Sequence, residues 1–114
     1  MPKYLFLDDI RNPSDAFAHT AQSIFLSEDW QIVRSFEEFV HWIKTNGLPE
    51  YISFDHDLGD VYGADKEKTG YDCAIWLVDY CLDAKLKCPA FYCHSMNPVG
   101  REKIVGLLEQ FSND

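Results

Sequence analysis

The chain has 114 residues, a length that fits one domain with a core large enough to fold without staples. Apolar residues make up 46% and aromatics 15%, which excludes a disordered chain. Ten Lys and Arg stand against 19 Asp and Glu, a net charge of −9. That balance excludes an extended nucleic-acid surface and leaves room for a compact cationic, metal or phosphate site.

Tyr4 to Leu7 is a short apolar run closed by Asp8-Asp9 and reads as a buried strand. It follows Met-Pro-Lys directly, without a signal-peptide layout, and no run approaches ~20 apolar residues. The expectation is a cytoplasmic protein with no membrane partner. Residues 12–29 are the least readable. Asn12-Pro13 fits the cap of a short helix through Phe17 and Ala18, and an irregular segment fits equally well. Trp30 to Arg34 alternates as a second strand. Ser35 and Glu38 have capping-box spacing for a helix whose inner face is Phe36, Phe39, Val40 and Ile43, stopped by Asn46-Gly47.

Tyr51 to Asp55 is a third strand. The stretch from Asp57 to Thr69 reads as a loop, either one that covers a ligand or a disordered insertion with residues 65–68 as its solvated tip. Ala74, Leu77, Val78, Cys81 and Leu82 mark a long amphipathic helix. An exposed Trp or Tyr on it (Trp76, Tyr80) would suit a dimer, although the oligomeric state stays open. Ala90 to Cys93 is a fourth strand. Asn97-Pro98 caps a last helix carrying Ile104, Leu107, Leu108 and Phe111, with residues 112–114 fraying.

Strands alternating with helices imply right-handed crossovers and a parallel sheet, which binds ligands beyond the carboxyl ends of its strands. Asp8-Asp9, Asp55-His56-Asp57 and His94-Ser95 should therefore meet at one rim. So many carboxylates need a cation. The candidates are Mg²⁺ or another divalent ion held by Asp8, Asp9, Asp55 and Asp57, or Arg11, Arg101 or protonated histidines. Asp9 and Asp57 fit solvated turn positions equally well. His56 and His94 at one rim would allow paired acid–base chemistry. His41 reads as structural, and His19 carries no functional reading. Arg101, in the first turn of the last helix, opposes the helix dipole unless an anion sits beside it; pairing with a rim aspartate is the plainer role. Arg11 has a similar setting, and Ser95 fits a hydrogen-bond donor.

The cysteines at 73, 81, 88 and 93 have no zinc-ligand spacing and read as buried free thiols, with a Cys88/Cys93/His94 metal cluster as the rival. No Gly-x-Gly-x-x-Gly, Walker or Gly-x-Ser-x-Gly pattern is present.

Asp8-Asp9 after the first strand and Asp55 closing the third resemble the acidic pair and phospho-acceptor of response-regulator receiver domains. The receiver Lys after a fifth strand has no counterpart here. The stretches 5–13, 53–59, 69–72 and 94–98 are more similar to the cyclic-phosphate-processing receiver-like family, a divergent branch. That resemblance implies a single α/β domain over residues 1–114. Its fold would be a truncated flavodoxin-like sheet of four parallel strands, order 2-1-3-4, flanked by helices. It also implies a small enzyme acting on cyclic phosphates, at RNA ends or on nucleotide products of RNA repair.

The expected function is hydrolysis of a cyclic phosphodiester. One of His56 and His94 would activate water and the other protonate the departing alkoxide. Asp55 and the other aspartates would hold a divalent ion or orient the histidines, and Arg11, Ser95 and Arg101 would bind phosphate. The substrate would be a small phosphorylated molecule or an RNA end. The alternative is a stand-alone receiver-type phosphoacceptor or binding module signalling through Asp55, or a degenerate scaffold.

Overall fold

The computed structural model describes residues 3–27, 29–58 and 68–112. The four apolar runs are four strands, β1 (Tyr4–Leu7), β2 (Trp30–Val33), β3 (Tyr51–Phe54) and β4 (Ala90–Cys93). They form one all-parallel sheet in the order β2-β1-β3-β4, a receiver-like, flavodoxin-like α/β fold. The register sets Leu7 beside Val33 and Phe54, and Phe54 beside Cys93. Arg34, Asp8, Asp55 and His94 are therefore the first residues past the ladder and share one row.

Side chains alternate across the sheet. Leu5, Leu7, Ile52 and Phe54 face α3 (Phe36–Asn46), α4 (Gly70–Ala84) and α5 (Pro98–Ser112), packing with Phe39, Leu77 and Ile104. Phe6 faces the other way, toward Ala16 of α1 (Pro13–Thr20) and Phe25 of α2 (Ile24–Ser27). The stretch that was hard to read thus holds two helices. Pro13 opens α1, and Ala21, at φ 58°, ends it in the left-handed region and turns the chain toward α2. Ser35 caps α3 through the amide of Glu38, as its spacing predicts.

Two expectations change. Trp76 and Tyr80 are half-buried rather than exposed. Their rings stack 5.0 Å apart, and Trp76 meets Phe39 edge-on at 6.2 Å, so Trp76 packs α4 on α3 with Tyr80 stacked on it. α5 runs on to Ser112, so fraying does not begin there; residues 113–114, and the loop tip at 59–67, lie outside the described residues. Among the described residues, no helix is long and apolar enough to cross a membrane.

Gly70 opens α4 against the backbone of Asp55 and His56, and its amide donates to the His56 carbonyl at 2.7 Å. A methyl group there would overlap the Asp55 carbonyl. Gly70→Ala is expected to cost about 3 kcal/mol in urea denaturation, because backbone, not a flexible side chain, must give way. A loss under about 1 kcal/mol would show that the helix and the rim are not locked together.

Candidate functional site

Each strand ends by handing a polar side chain to the same rim. Asp8, Asp9, Ile10 and Arg11 follow β1, Asp55 and Asp57 follow β3, and Ser95 to Pro98 follow β4; together they line one cavity of about 470 Å³.

Asp8 lies at its floor and is fully buried. One oxygen, Oδ1, accepts the amides of Ile10 and Arg11 at 3.0 and 2.8 Å. The other, Oδ2, meets Nε2 of His94 at 2.9 Å. Burial pushes this carboxyl up, yet the bonds from His94, Arg11 and Ile10 outweigh it and bring it down to about 2. His94 is also buried, stacked flat on Phe6 at 4.5 Å, and its Nδ1 meets the hydroxyl of Ser53 at 2.6 Å. Burial holds the ring below its ordinary range, against the pull of Asp8. The consistent arrangement is an ionised Asp8 and a neutral imidazole. Nε2–H donates to Asp8, and Nδ1 accepts the Ser53 hydroxyl proton.

Asp55 stands beside Asp8 with 6% of its surface exposed. Its Oδ1 accepts the His56 amide at 2.9 Å. Burial first, then the charges of Asp8 and Asp9, push it up to about 7. Asp9 is raised by burial and by Asp8. Arg11 is the cation on this wall. Its guanidinium has no carboxylate within ion-pair range among the described residues and touches Met96 Sδ at 3.8 Å. Asp8, Asp55 and His94 offer ligand atoms all within 4.8 Å of one another, a cluster that can hold a metal ion. The donor chemistry fits a hard cation, since two adjacent buried carboxylates hold each other's charge at a disadvantage until a cation joins them.

His56 and His94 do not form a facing pair. His94 lies on the Phe6 side of the sheet. The His56 ring lies against Gly100 of α5, which has no side chain to displace it. His56 Nδ1 meets Asp57 Oδ1 at 2.9 Å, and Asn97 Nδ2 donates to the same carboxylate at 3.2 Å. Those bonds, that of His56 above all, hold Asp57 below its ordinary range. His56 Nε2 has no hydrogen-bond partner among the described residues.

Arg101 is on the far side of the 95–98 segment and lines a neighbouring cavity. The cysteines are free; Cys73, Cys81 and Cys93 are buried and Cys88 half-buried. Burial raises Cys93 to about 11, and the only ligand cluster among the described residues is the Asp8–Asp55–His94 one, so no cysteine cluster forms.

Four supporting residues had no site role assigned from the sequence. Ser53 sits mid-strand; Gly100 is an ordinary helix residue by pattern. Asn97 was legible only as a cap. Arg34, which reads only as the end of the second strand, donates to the carbonyls of Asp8 and Arg11 at 3.3 and 2.6 Å and to Asn12 Oδ1 at 2.8 Å, tying down the loop after β1.

Residues 3–110 match the family model described as the cyclic-phosphate processing receiver domain. No curated protein and no solved structure matches the chain.

Proton linkage gives this cavity a measurable signature. Folded Asp55 keeps its proton up to about pH 7, whereas its ordinary value is 3.8, so the folded state binds the extra proton between those limits. This makes stability fall as pH rises from about 4 to about 7, while Asp8 makes it fall as pH drops from about 4 toward 2. Asp55→Asn is expected to be more stable than wild type at pH 8 by roughly 2 kcal/mol or more, with the gain shrinking toward pH 4. Urea titrations at the two pH values check it; an equal difference at both would exclude charge crowding as the cause.

Proposed function

The chain belongs to the cyclic-phosphate processing receiver domain family, and on that premise and the cavity's geometry we propose that it hydrolyses cyclic phosphodiesters. The observation that carries this reading is the convergence of Asp8, Asp9 and Asp55 with Arg11 and Ser95 in one cavity at the carboxyl ends of the strands. A small cyclic phosphate of a nucleotide or of an RNA end suits it. A few positioned groups do the work, and no basic surface is needed at a net charge of −9.

Asp8, Asp9 and Asp55 would hold Mg²⁺ or a similar divalent ion, with Asp57 at the cavity's edge. When bound, the ion supplies Lewis-acid polarisation of a phosphoryl oxygen. Arg11 neutralises phosphate charge, and the Ser95 hydroxyl, which accepts the Asn97 amide at 3.1 Å, keeps its own proton to donate. Hydrolysis forms a bond from water oxygen to phosphorus and breaks one ester bond. His56 does not itself line the cavity but is bonded to Asp57, which does, and from that edge it would take the proton from water. With its Nδ1–H held by Asp57, the lone pair is on Nε2. The departing alkoxide leaves on the opposite side of phosphorus and takes its proton from water at the exposed edge. His94 is a positioning residue that acts through Asp8.

The test is an assay of purified protein against 2′,3′-cyclic and 1″,2″-cyclic phosphates, with Mg²⁺ or with EDTA. Turnover is expected with the ion. His56→Ala should lower kcat by about 100-fold or more. His94→Gln should weaken the apparent affinity for Mg²⁺ more than it lowers kcat at saturating Mg²⁺. No turnover on any substrate, or unchanged turnover in the double variant His56→Ala/His94→Ala, overturns the reading.

A further inference from the structure

The most exposed large apolar side chains among the described residues gather in one place. Ile10 is 75% exposed, and Met96 and Val99 are each 65% exposed. Ile10 and Met96 line the acidic cavity, and Val99 follows Pro98, which lines it too. Apolar side chains scattered singly over a surface need no explanation, but a group of them at the edge of a polar cavity does. Neither Ile10 nor Met96 belongs to the core on either side of the sheet, so packing does not require them to be apolar.

Both are tied to the site. The Ile10 amide donates to Asp8 at 3.0 Å, so the turn cannot carry this side chain elsewhere without giving up a bond to a buried carboxylate. Met96 comes from the segment after β4, and its Sδ touches the Arg11 guanidinium at 3.8 Å, which joins the two walls of the cavity. The result is a polar floor with an apolar lip. At about 470 Å³ the cavity has room for an organic ligand, since such pockets span roughly 300–1,000 Å³. A phosphate and a cation would engage the carboxylates and Arg11 and leave the lip uncovered. Lip and floor belong to one cavity, so the group that covers the lip is part of the same ligand. Asp9 and Asn97 line that cavity as well. An alkyl group would strip water from them and return no hydrogen bond. A heteroaromatic base presents apolar faces to Ile10 and the Met96 thioether and hydrogen-bonding edges to the polar groups between.

We propose that Ile10 and Met96 are specificity-determining residues that take the base of a nucleoside cyclic phosphate whose phosphate lies among the groups of the floor. The inference rests on the hydrolase reading and narrows its substrate. A 2′,3′-cyclic phosphate leaves C1′ free to carry a base. A 1″,2″-cyclic phosphate spends that carbon on a ring oxygen, so its sugar brings no base to the lip.

The experiment compares kcat/KM of the full chain, with Mg²⁺, for adenosine 2′,3′-cyclic phosphate and for the methyl riboside 2′,3′-cyclic phosphate, which has the same ring and no base. A preference of at least about fivefold for the adenosine compound is expected. The double variant Ile10→Ser/Met96→Ser should erase that preference while changing turnover of the base-free compound by less than about twofold, and Ile10→Ser alone should reduce the preference. Leu82→Ser, at an exposed apolar residue that does not line the cavity, should leave the preference as it is. Ile10 and Met96 are exposed, so the double variant is expected to keep the wild-type urea midpoint. A smaller preference in the wild type, or a double variant that lowers turnover of both compounds alike, overturns the inference and leaves the hydrolase reading standing. If neither compound is turned over, the hydrolase reading fails, and calorimetric titration with the same two compounds decides: binding of the adenosine compound that is at least about fivefold tighter and lost in the double variant supports the lip, and equal or absent binding overturns it. A dimer that the double variant dissociates, without any preference for the base, assigns the two residues to a self-interface and also overturns it.

Discussion

A buried carboxylate is affordable only if its lone pairs are met, and Asp8 meets that condition from three directions. Two amides of the following turn bond one oxygen and His94 bonds the other. Removing any of these would leave a charge in a dry place, so the turn after β1 has little choice of shape. Curled around Asp8 and tied from outside by Arg34, it brings Asp9 and Arg11 to the cavity wall. Ser53 completes the chain by giving His94 its second partner. The Ser–His–Asp connectivity is not a nucleophile's, because Ser53 is fully buried. Its effect is to fix one tautomer and one orientation.

With Asp8 ionised, Asp55 and Asp9 cannot ionise freely next to it. The cavity therefore stores an electrostatic penalty that a cation relieves. Across the 95–98 segment the situation reverses: Arg101 and His19 face a cavity without described carboxylates. This separation of charge over one loop matters more than the net charge of −9. The carboxylates and the Arg101 guanidinium line different cavities. Placing them on either side of a thin wall keeps them from cancelling each other as ion pairs.

Much of this was legible in the sequence. Apolar runs four residues long, each followed by polar residues, are what a parallel sheet covered on both faces demands, and they located the strands and the rim. Strand order came from the resemblance rather than from periodicity. What stayed hidden depends on contacts between distant segments. The value of Gly100 lies in the His56 ring packed on it, and the value of Ser53 in a partner 41 residues away. Trp76 and Tyr80 looked exposed on α4's polar stripe because the pattern cannot show that α3 lies beside them. Residues 12–29 were obscure because α1 and α2 are short and are separated by Ala21 in a left-handed conformation, which alanine does not advertise.

The two histidines show where sequence logic stopped one step short. Both follow a strand, so both reach the rim. Reaching the rim does not mean reaching the same face. Phe54 pairs with Cys93, which puts Asp55, not His56, level with His94. Because side chains alternate, Asp8, Asp55 and His94 share a face, and His56, one residue on, turns to the other. There it meets α5 and Asp57 instead of the other imidazole. A relay between two histidines is therefore ruled out by register, before any question of acidity arises. What the register leaves is one imidazole locked under a carboxylate and one with a nitrogen still uncommitted. That division makes His94 a fixture of the floor, while His56 keeps one ring nitrogen without a described partner.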